Sequence, residues 1–366
     1  MTESLELSVV IPTCGRAPAL RRTIDALLQQ DYNLTRAEIV VVCDGADEAT
    51  SSLVRELARG ARCGLRVIEQ PRRGQGRARN RGIAAATGRV VVMLDDDIAA
   101  VPGLLSAHAR HHHGRDDVVV TGALPIAMID VEPAHRRIVR EWWDGELREV
   151  ASPRHVTTFR DFVTGNVSVP RARLLEVGGF DEAFTGYGRE DYELGLRLHR
   201  AGLRFIHEPR AIGVHHYDKP AIDWLRQFHS MGRADVIFAR KHPASVDEVM
   251  GLSPFPRWPG IARAIPWLEQ FVLARSERGG RVWGISAALT QGAHYWAGIE
   301  AEARDARELE WLAAAHRRMR SARLSAERAH WWPPVVRRLW ARVSAALASR
   351  ALTRKVARAL GRSGLQ

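Results

Sequence analysis

Cysteine is scarce in this chain, and long apolar runs are missing. The three cysteines, Cys14, Cys43 and Cys63, lack metal-type spacing and are odd in number. That argues against a zinc motif or a disulfide framework. Residues 1–7 lack the charged start and apolar core of a secretory signal, so reduced thiols in a cytoplasmic protein are expected. The longest uncharged stretch, Val282 to Ile299, carries Ser286, Thr290, Gln291, His294 and several glycines. A buried helix is expected there, not a membrane span. Lysine is nearly absent too. Lys219, Lys241 and Lys355 stand alone, and arginine supplies the remaining positive charge, a skew that reflects genome composition more than chemistry. The net charge of +12 favours anionic partners such as nucleotides, phosphorylated lipids, membrane surfaces or nucleic acid. No repeat or low-complexity tract is present.

What is present reads as a large α/β protein. A length of 366 residues with 46% hydrophobic content suits two or three domains, or one enzyme domain with an extension. Apolar runs at 7–11 (stopped by Pro12), 38–42, 65–69 and 89–94 predict strands. Helical patterns occupy 17–30, 48–59 and 77–86 between them. Strand–helix alternation at this spacing predicts βαβ units and a mainly parallel sheet with helices on both faces, a Rossmann-like architecture. Further on, strands are expected at 118–122 and within 161–170, and helices at 171–177 and 190–200. Short extended pieces are expected at 205–206 and 211–216. Beyond about residue 245 the pattern changes. Pro254, Pro256 and Pro259 mark a linker, and a mostly helical region follows. The expected division is 1–245, with halves 1–105 and 106–245, and then 246–366.

Asp95, Asp96 and Asp97 end the run Val90-Val91-Val92-Met93-Leu94. Adjacent carboxylates at the end of a buried strand repel unless something positive compensates. At the carboxyl end of a strand in an open α/β sheet, that compensation is usually a ligand or a metal. Asp95 and Asp97 point to one side of an extended chain and can share a divalent cation. The bland alternative is a solvated turn that caps the next helix. Asp44 ends the second strand before Gly45, where it can meet a nucleotide base or simply form a turn. Residues 72–82 combine Gly74 and Gly76 with five arginines, a pattern suited to a diphosphate or to a solvated basic helix. No aromatic is interleaved for base stacking, so nucleic acid is not expected. The glycine-rich Gly186-Tyr187-Gly188-Arg189 delivers Glu190 and Asp191 to a helix start, where a fixed carboxylate can act as a general base. Of the pair His215-His216, at most one reaches a site. His111-His112-His113 reads as a solvated run in a polar loop.

In this order, several segments resemble the family-two inverting glycosyltransferases of the GT-A fold. They are Ser8 to Thr13, Ile39 to Gly45, Gly74 through Ala78-Arg79-Asn80 to Gly82, and Leu94 to Asp97. Thr164-Gly165-Asn166, Gly178 to Glu182, and Glu190-Asp191 with Glu193-Leu194 follow. The match runs over roughly residues 7–217. It departs from the family at Cys14-Gly15, where Tyr-Asn is usual, and at Cys43, where an aspartate is usual. The resemblance implies a nucleotide-sugar site made by Pro12, Thr13, Asp44, Arg73, Gly74, Arg79, Asn80, Asp95 and Asp96. It implies Mn2+ or Mg2+ held by Asp95, Asp97 and His215. It implies Asp191 as the base, with Glu190 as competitor, and an acceptor side carrying Gly165, Asn166, Trp143 and Arg189.

The implied activity is metal-dependent, inverting transfer from a nucleotide-diphosphate sugar, expected to be a UDP-sugar, to an acceptor hydroxyl. The acceptor is expected to be a cell-envelope glycan, a glycolipid or a secondary metabolite. Two alternatives stay open: a nucleotidyltransferase that builds nucleotide sugars, and a non-catalytic glycan- or membrane-associated binder. Residues 331–366 hold eight basic residues, no acid, and Trp331, Trp332 and Trp340. Apolar residues at helical spacing there are expected either to lie on an anionic membrane surface or to pack on the catalytic domain or a second subunit, as in a dimer.

Overall fold

A computed structural model describes residues 5–249, 257, 261–277 and 279–325. Its element order begins β1 (Leu7–Thr13), α1 (Ala17–Leu28), β2 (Ala37–Asp44), α2 (Glu48–Ala58), β3 (Gly64–Gln70), α3 (Gln75–Ala85), β4 (Val90–Leu94) and β5 (Ile98–Ala100). Then come α4 (Leu104–His111), β6 (Val118–Ala123), α5 (Ala134–Val150), β7 (Asn166–Pro170), α6 (Arg171–Glu176), α7 (Glu190–Arg200) and β8 (Arg204–His215). The last described part is helical: α8 (Ala221–Lys241), α9 (Val246–Val249), α10 (Ile265–Leu273), α11 (Arg281–Glu302) and α12 (Ala306–Ser325).

One eight-stranded sheet runs in the order β3-β2-β1-β4-β7-β6-β8-β5. β1, β2, β3 and β4 are parallel, as the βαβ spacing predicts. β7 is antiparallel to both β4 and β6, and β5 is antiparallel to β8, so the second half is mixed. Every residue of β1, β2 and β4 is buried. These strands lie between two helical layers, which explains their continuous apolar runs. Successive side chains feed opposite layers. Val9, Ile39 and Val92 meet Leu20, Ile24 and Leu27 of α1, while Val10, Val40 and Val91 join Ala78 and Ile83 of α3 and Leu194 of α7. Each fully buried Val, Leu or Ile contributes roughly 1.5–3 kcal/mol.

Three expectations are corrected. The two extended pieces at 205–206 and 211–216 are one strand, β8. Its ladder against β6 jumps from Glu208 to Ile212, opposite Gly122 and Ala123. Pro209 lies in the jump, where it need not donate to a ladder. α5 has no counterpart in the sequence reading. Its Arg-, Glu- and Trp-rich stretch buries only Ala134, His135 and Arg136, all in its first turn, so no clear apolar stripe marks it.

The third correction is the histidine run, which is not a solvated loop. His111 ends α4 and donates from Nε2 to the Glu208 carboxylate at 2.7 Å, while His112 is buried and 2.8 Å from the Ser168 hydroxyl. The buried network fixes its own proton positions. The Asn166 amide nitrogen donates to the Ala123 and Ala211 carbonyls (3.1 and 2.8 Å), so its oxygen accepts from His108 Nε2 (2.9 Å). His108 Nδ1 then accepts from Ser168 (2.8 Å), and Ser168 accepts from His112 Nε2. Burial holds both imidazoles neutral, His108 down to about 4 and His112 down to about 3.

Candidate active site

The carboxyl ends of β1, β2, β4 and β8 and the amino end of α7 bring the candidate residues to one edge of the sheet. Thr13 pairs with Cys43 and Asp44 with Gln70 in the parallel register, which aligns these strand ends. Asp44 is buried and accepts three hydrogen bonds, from Gln70 Nε2 (2.8 Å), Arg73 N (2.7 Å) and Gly74 N (2.8 Å). It therefore shapes the β3–α3 loop. Gly74 has φ +95 there, and a Cβ would sit 3.2 Å from the Thr185 carbonyl, so glycine is required. Pro12 lies buried within β1. The arginine cluster divides by burial. Arg72, Arg73 and Arg81 are exposed, Arg77 pairs with Glu182 at 2.5 Å, and Arg79 is 2% exposed.

The aspartates take three different partners. Asp95 accepts from Arg79 at 2.7 Å. Asp96 accepts from the Thr13 hydroxyl at 2.6 Å and from Arg16 at 3.0 Å. Asp97 accepts from Arg16 at 2.9 Å and lies 3.4 Å from His215 Nε2. Burial lifts Asp96 to about 6 in spite of Arg16 and Thr13. Burial acts upward on Asp97 as well, but His215 and Arg16 outweigh it and hold Asp97 down at about 2. Asp97 and His215 are thus brought together as expected, while Asp95 is turned to Arg79. Among the described residues no group of three His, Cys, Asp or Glu is gathered for a metal.

Arg79 links the strand-end acids to α7. Its Nη1 lies 3.8 Å from Glu190, and its Nε and Nη1 are buried without a hydrogen-bond partner among the described residues. Glu190 is buried and accepts from Gly188 N at 3.0 Å. Burial raises its carboxyl, and neighbouring Asp191 adds to the rise. Asp191 is half-buried and accepts from Tyr192 N at 2.8 Å. Burial raises it too, against Tyr192 N–H, Arg79 and Arg189. A pair of carboxyls lifted towards neutrality suits proton transfer.

Four expected ligands have other work. Asn80 clasps Phe180, donating to its carbonyl (2.8 Å) and accepting from its N–H (2.7 Å), so it latches the 178–180 loop. Asn166 spends its amide on Ala123, Ala211 and His108, inside the sheet. Trp143 donates its indole N–H to the Leu124 carbonyl and packs against the core. Arg189 is buried and bonds Asp235 of α8 at 2.5 Å. In each case tertiary packing claims the polar group. Gly165 does flank the site. A Cβ there would be 3.2 Å from Asp95 Oδ2. The sequence reading missed Arg16, Asp218, Tyr217 and Lys219. Arg16 also bonds Asp218 at 3.1 Å. Lys219 donates to Gln227 at 2.6 Å with its ammonium 4.4 Å from the Tyr187 ring centre, and the Tyr217 hydroxyl is buried without a partner among the described residues. For Arg16, its place just past the end of β1 was the one available signal.

A model of glycosyl transferase family 2 matches residues 8–170, and a model described as the N-terminal domain of galactosyltransferase matches 148–219. The validoxylamine A glucosyltransferase of Streptomyces hygroscopicus subsp. jinggangensis is 31% identical over 278 residues, 66% of this chain and 62% of that protein. The pre-mycofactocin glycosyltransferase of Mycobacterium tuberculosis is 29% identical over 241 residues, 65% of this chain and 48% of that protein. The chain thus spans less than two thirds of the curated relatives it matches here. A mannosyltransferase from Pyrobaculum calidifontis, solved with GDP-Man and Mn2+, shares the fold with a TM-score of 0.53 at 20% identity, over 89% of each chain. With this sheet, these strand-end acids and these matches, residues 8–170 match glycosyltransferase family 2 and the chain carries the GT-A fold.

Proposed function

We propose that the protein transfers a sugar from a nucleotide-diphosphate donor, a UDP-sugar, to an acceptor hydroxyl, with inversion and with Mg2+ or Mn2+. The observation that carries this reading is the adjacent carboxyls of buried Glu190 and half-buried Asp191 at the start of α7, with Glu190 joined through Arg79 to Asp95 at the end of β4. Thr13, Asp44, Asp96 and the loop at Arg73 and Gly74 hold the nucleotide. Asp97 and His215 would hold the cation, a carboxylate and an imidazole being a donor set that suits either metal. When bound there, it would supply Lewis-acid stabilisation of the departing diphosphate. Exposed Arg72 and Arg73 add positive charge to the same end of the cleft.

Asp191 takes the acceptor proton. The freed oxygen bonds to the anomeric carbon on the face opposite the diphosphate, and the carbon–oxygen bond to the diphosphate breaks with its electron pair. One displacement inverts the centre, whereas a double displacement would retain it. The names of the two relatives support a small secondary metabolite as acceptor. Residues 1–245 form the catalytic unit in this reading.

A panel of nucleotide sugars, scored for nucleotide-diphosphate release with the product anomer read by NMR, tests the proposal. Diphosphate release and an inverted product are expected. Asp191→Asn should lower turnover about a hundred- to ten-thousand-fold with nucleotide affinity kept. Release of inorganic pyrophosphate would mark a nucleotidyltransferase instead, and binding without turnover a non-catalytic binder.

A further inference from the structure

Arg189 is the one non-glycine residue with positive φ among the described residues, at +68. It caps α7 immediately before Glu190 and Asp191. Left-handed backbone is costly for a side-chain-bearing residue and persists where the surroundings enforce it. Here they do. The guanidinium reaches into the helical layer and bonds Asp235 of α8 at 2.5 Å, with side-chain exposures of 8% and 0%. The Tyr295 hydroxyl of α11 donates to the same carboxylate. The loop before Arg189 also rests on α8. A Cβ at Gly186 would lie 3.2 Å from Ser230 Oγ, and one at Gly188 would lie 3.2 Å from Met231 Cγ. α8 and α11 in turn touch backbone to backbone. A Cβ at Gly232 would be 2.1 Å from the Tyr295 carbonyl, and one at Gly298 would be 2.0 Å from the His229 carbonyl.

We propose that Arg189, anchored by Asp235 and Tyr295, is a positioning residue through which α8 and α11 set the placement of Asp191. This rests on the reading of Asp191 as the base. A buried guanidinium, held by a carboxylate that Tyr295 holds in turn, fixes the first turn of α7 and aims the carboxylate that follows it. The helical region after the sheet is then part of the active site's support, not an appendage. An ion pair this deep is poor at adding stability, but breaking it leaves an uncompensated buried charge, so it is strict about geometry.

The test uses the full chain and the variants Arg189→Lys, Arg189→Gln, Asp235→Asn, Tyr295→Phe and, as reference, Asp191→Asn. Arg189→Gln should lower kcat on the order of a hundredfold, the usual cost of misplacing a catalytic group by about 1 Å. The donor KM and nucleotide-diphosphate affinity by calorimetry should stay within about twofold, since uniform binding is untouched. Arg189→Lys should recover part of the loss. The acid limb of the kcat profile should move to higher pH in Arg189→Gln. Arg189 and Arg79 are the cations that oppose the effect of burial on Asp191, while Glu190 beside it and Tyr187 in the preceding loop offer no positive charge to replace Arg189.

Amide exchange at residues 186–192 should accelerate in Arg189→Gln, Asp235→Asn and Tyr295→Phe. This readout needs no turnover. Tyr295→Phe removes only a hydroxyl, so it remains informative if Asp235→Asn does not fold. Unchanged kcat and exchange in Arg189→Gln and Tyr295→Phe, with Asp191→Asn inactive, would overturn the positioning role and leave the base intact. A fully active Asp191→Asn would instead remove the base reading on which the role depends.

Discussion

Asp96 and Asp97 are neighbours with opposite titration behaviour, and the difference is set by single contacts. Both are buried, but Asp97 has His215 as well as Arg16, while Asp96 has Arg16 and a neutral hydroxyl. A carboxyl raised to about 6 in the fold, against 3.8 unfolded, takes up a proton on the native side first. Its contribution to stability therefore grows as pH falls from about 6 to 4, and it is unfavourable at neutral pH by roughly 3 kcal/mol at 1.36 kcal/mol per unit. Asp97, held at about 2, contributes stability above pH 4 that is lost as pH falls towards 2. His108 and His112, held neutral, act against the fold as pH falls below 6.5. The comparison of wild type with Asp96→Asn removes that histidine effect from the difference. Thermal melting between pH 7 and 4 should show wild type gaining on Asp96→Asn as the solution is acidified. A pH-independent gap would show that Asp96 stays ionised throughout. The histidines also show what residue types leave open. A run of three reads as solvated until α4 packs on β7 and brings His108 and His112 to Ser168.

At the scale of elements, periodicity was a good guide wherever burial is regular. β1, β2 and β4 are buried on both faces, so their apolar runs stand out, and α1 buries Leu20, Ile24 and Leu27 at helical spacing. Legibility fails where an element buries little or bends. α5 buries only its first turn, and β8 is interrupted by its irregularity at Pro209. The crossing of α8 and α11 is another such case, because a glycine in a helix is read as a weakness until its neighbour is known. Gly232→Ala should destabilise the protein although alanine is the better helix former. Its Cβ would meet backbone, which cannot swing aside as a side chain can. Overpacking of this kind typically costs about 1–3 kcal/mol, with more where the backbone must part. Denaturant unfolding of Gly232→Ala against Gly284→Ala is the comparison, since nothing lies within 4 Å of a Cβ at Gly284. Equal stabilities would mean the helices separate without cost.

For the whole molecule, the charge of +12 and the C-terminal basic stretch raise the question of where the enzyme works. No described helix is long and apolar enough to cross a membrane. Residues 331–366 lie outside the described residues, so the tether reading is carried by sequence alone: eight basic residues, no acid, and three tryptophans near its start. Peripheral, salt-sensitive association with anionic vesicles is the expected outcome for the full chain. Truncation after about residue 330 should abolish it and keep nucleotide binding. No sedimentation with anionic vesicles at low salt would favour packing of this segment on protein instead.

The sequence by itself determined the parallel βαβ half, the strand ends at Asp44 and Asp95 to Asp97, and the start of α7 at Glu190. These follow from local periodicity and from chain direction, which puts polar residues at the carboxyl ends of buried strands. Tertiary structure decided which polar groups remain for a ligand. Asn80, Asn166, Trp143 and Arg189 are taken by partners 19 to 100 positions away along the chain. Arg16 is carried onto Asp96 and Asp97 from 80 and 81 positions away. Such pairings arise because an unpaired buried donor or acceptor is costly, and its mate is chosen by the three-dimensional packing of the strands and helices.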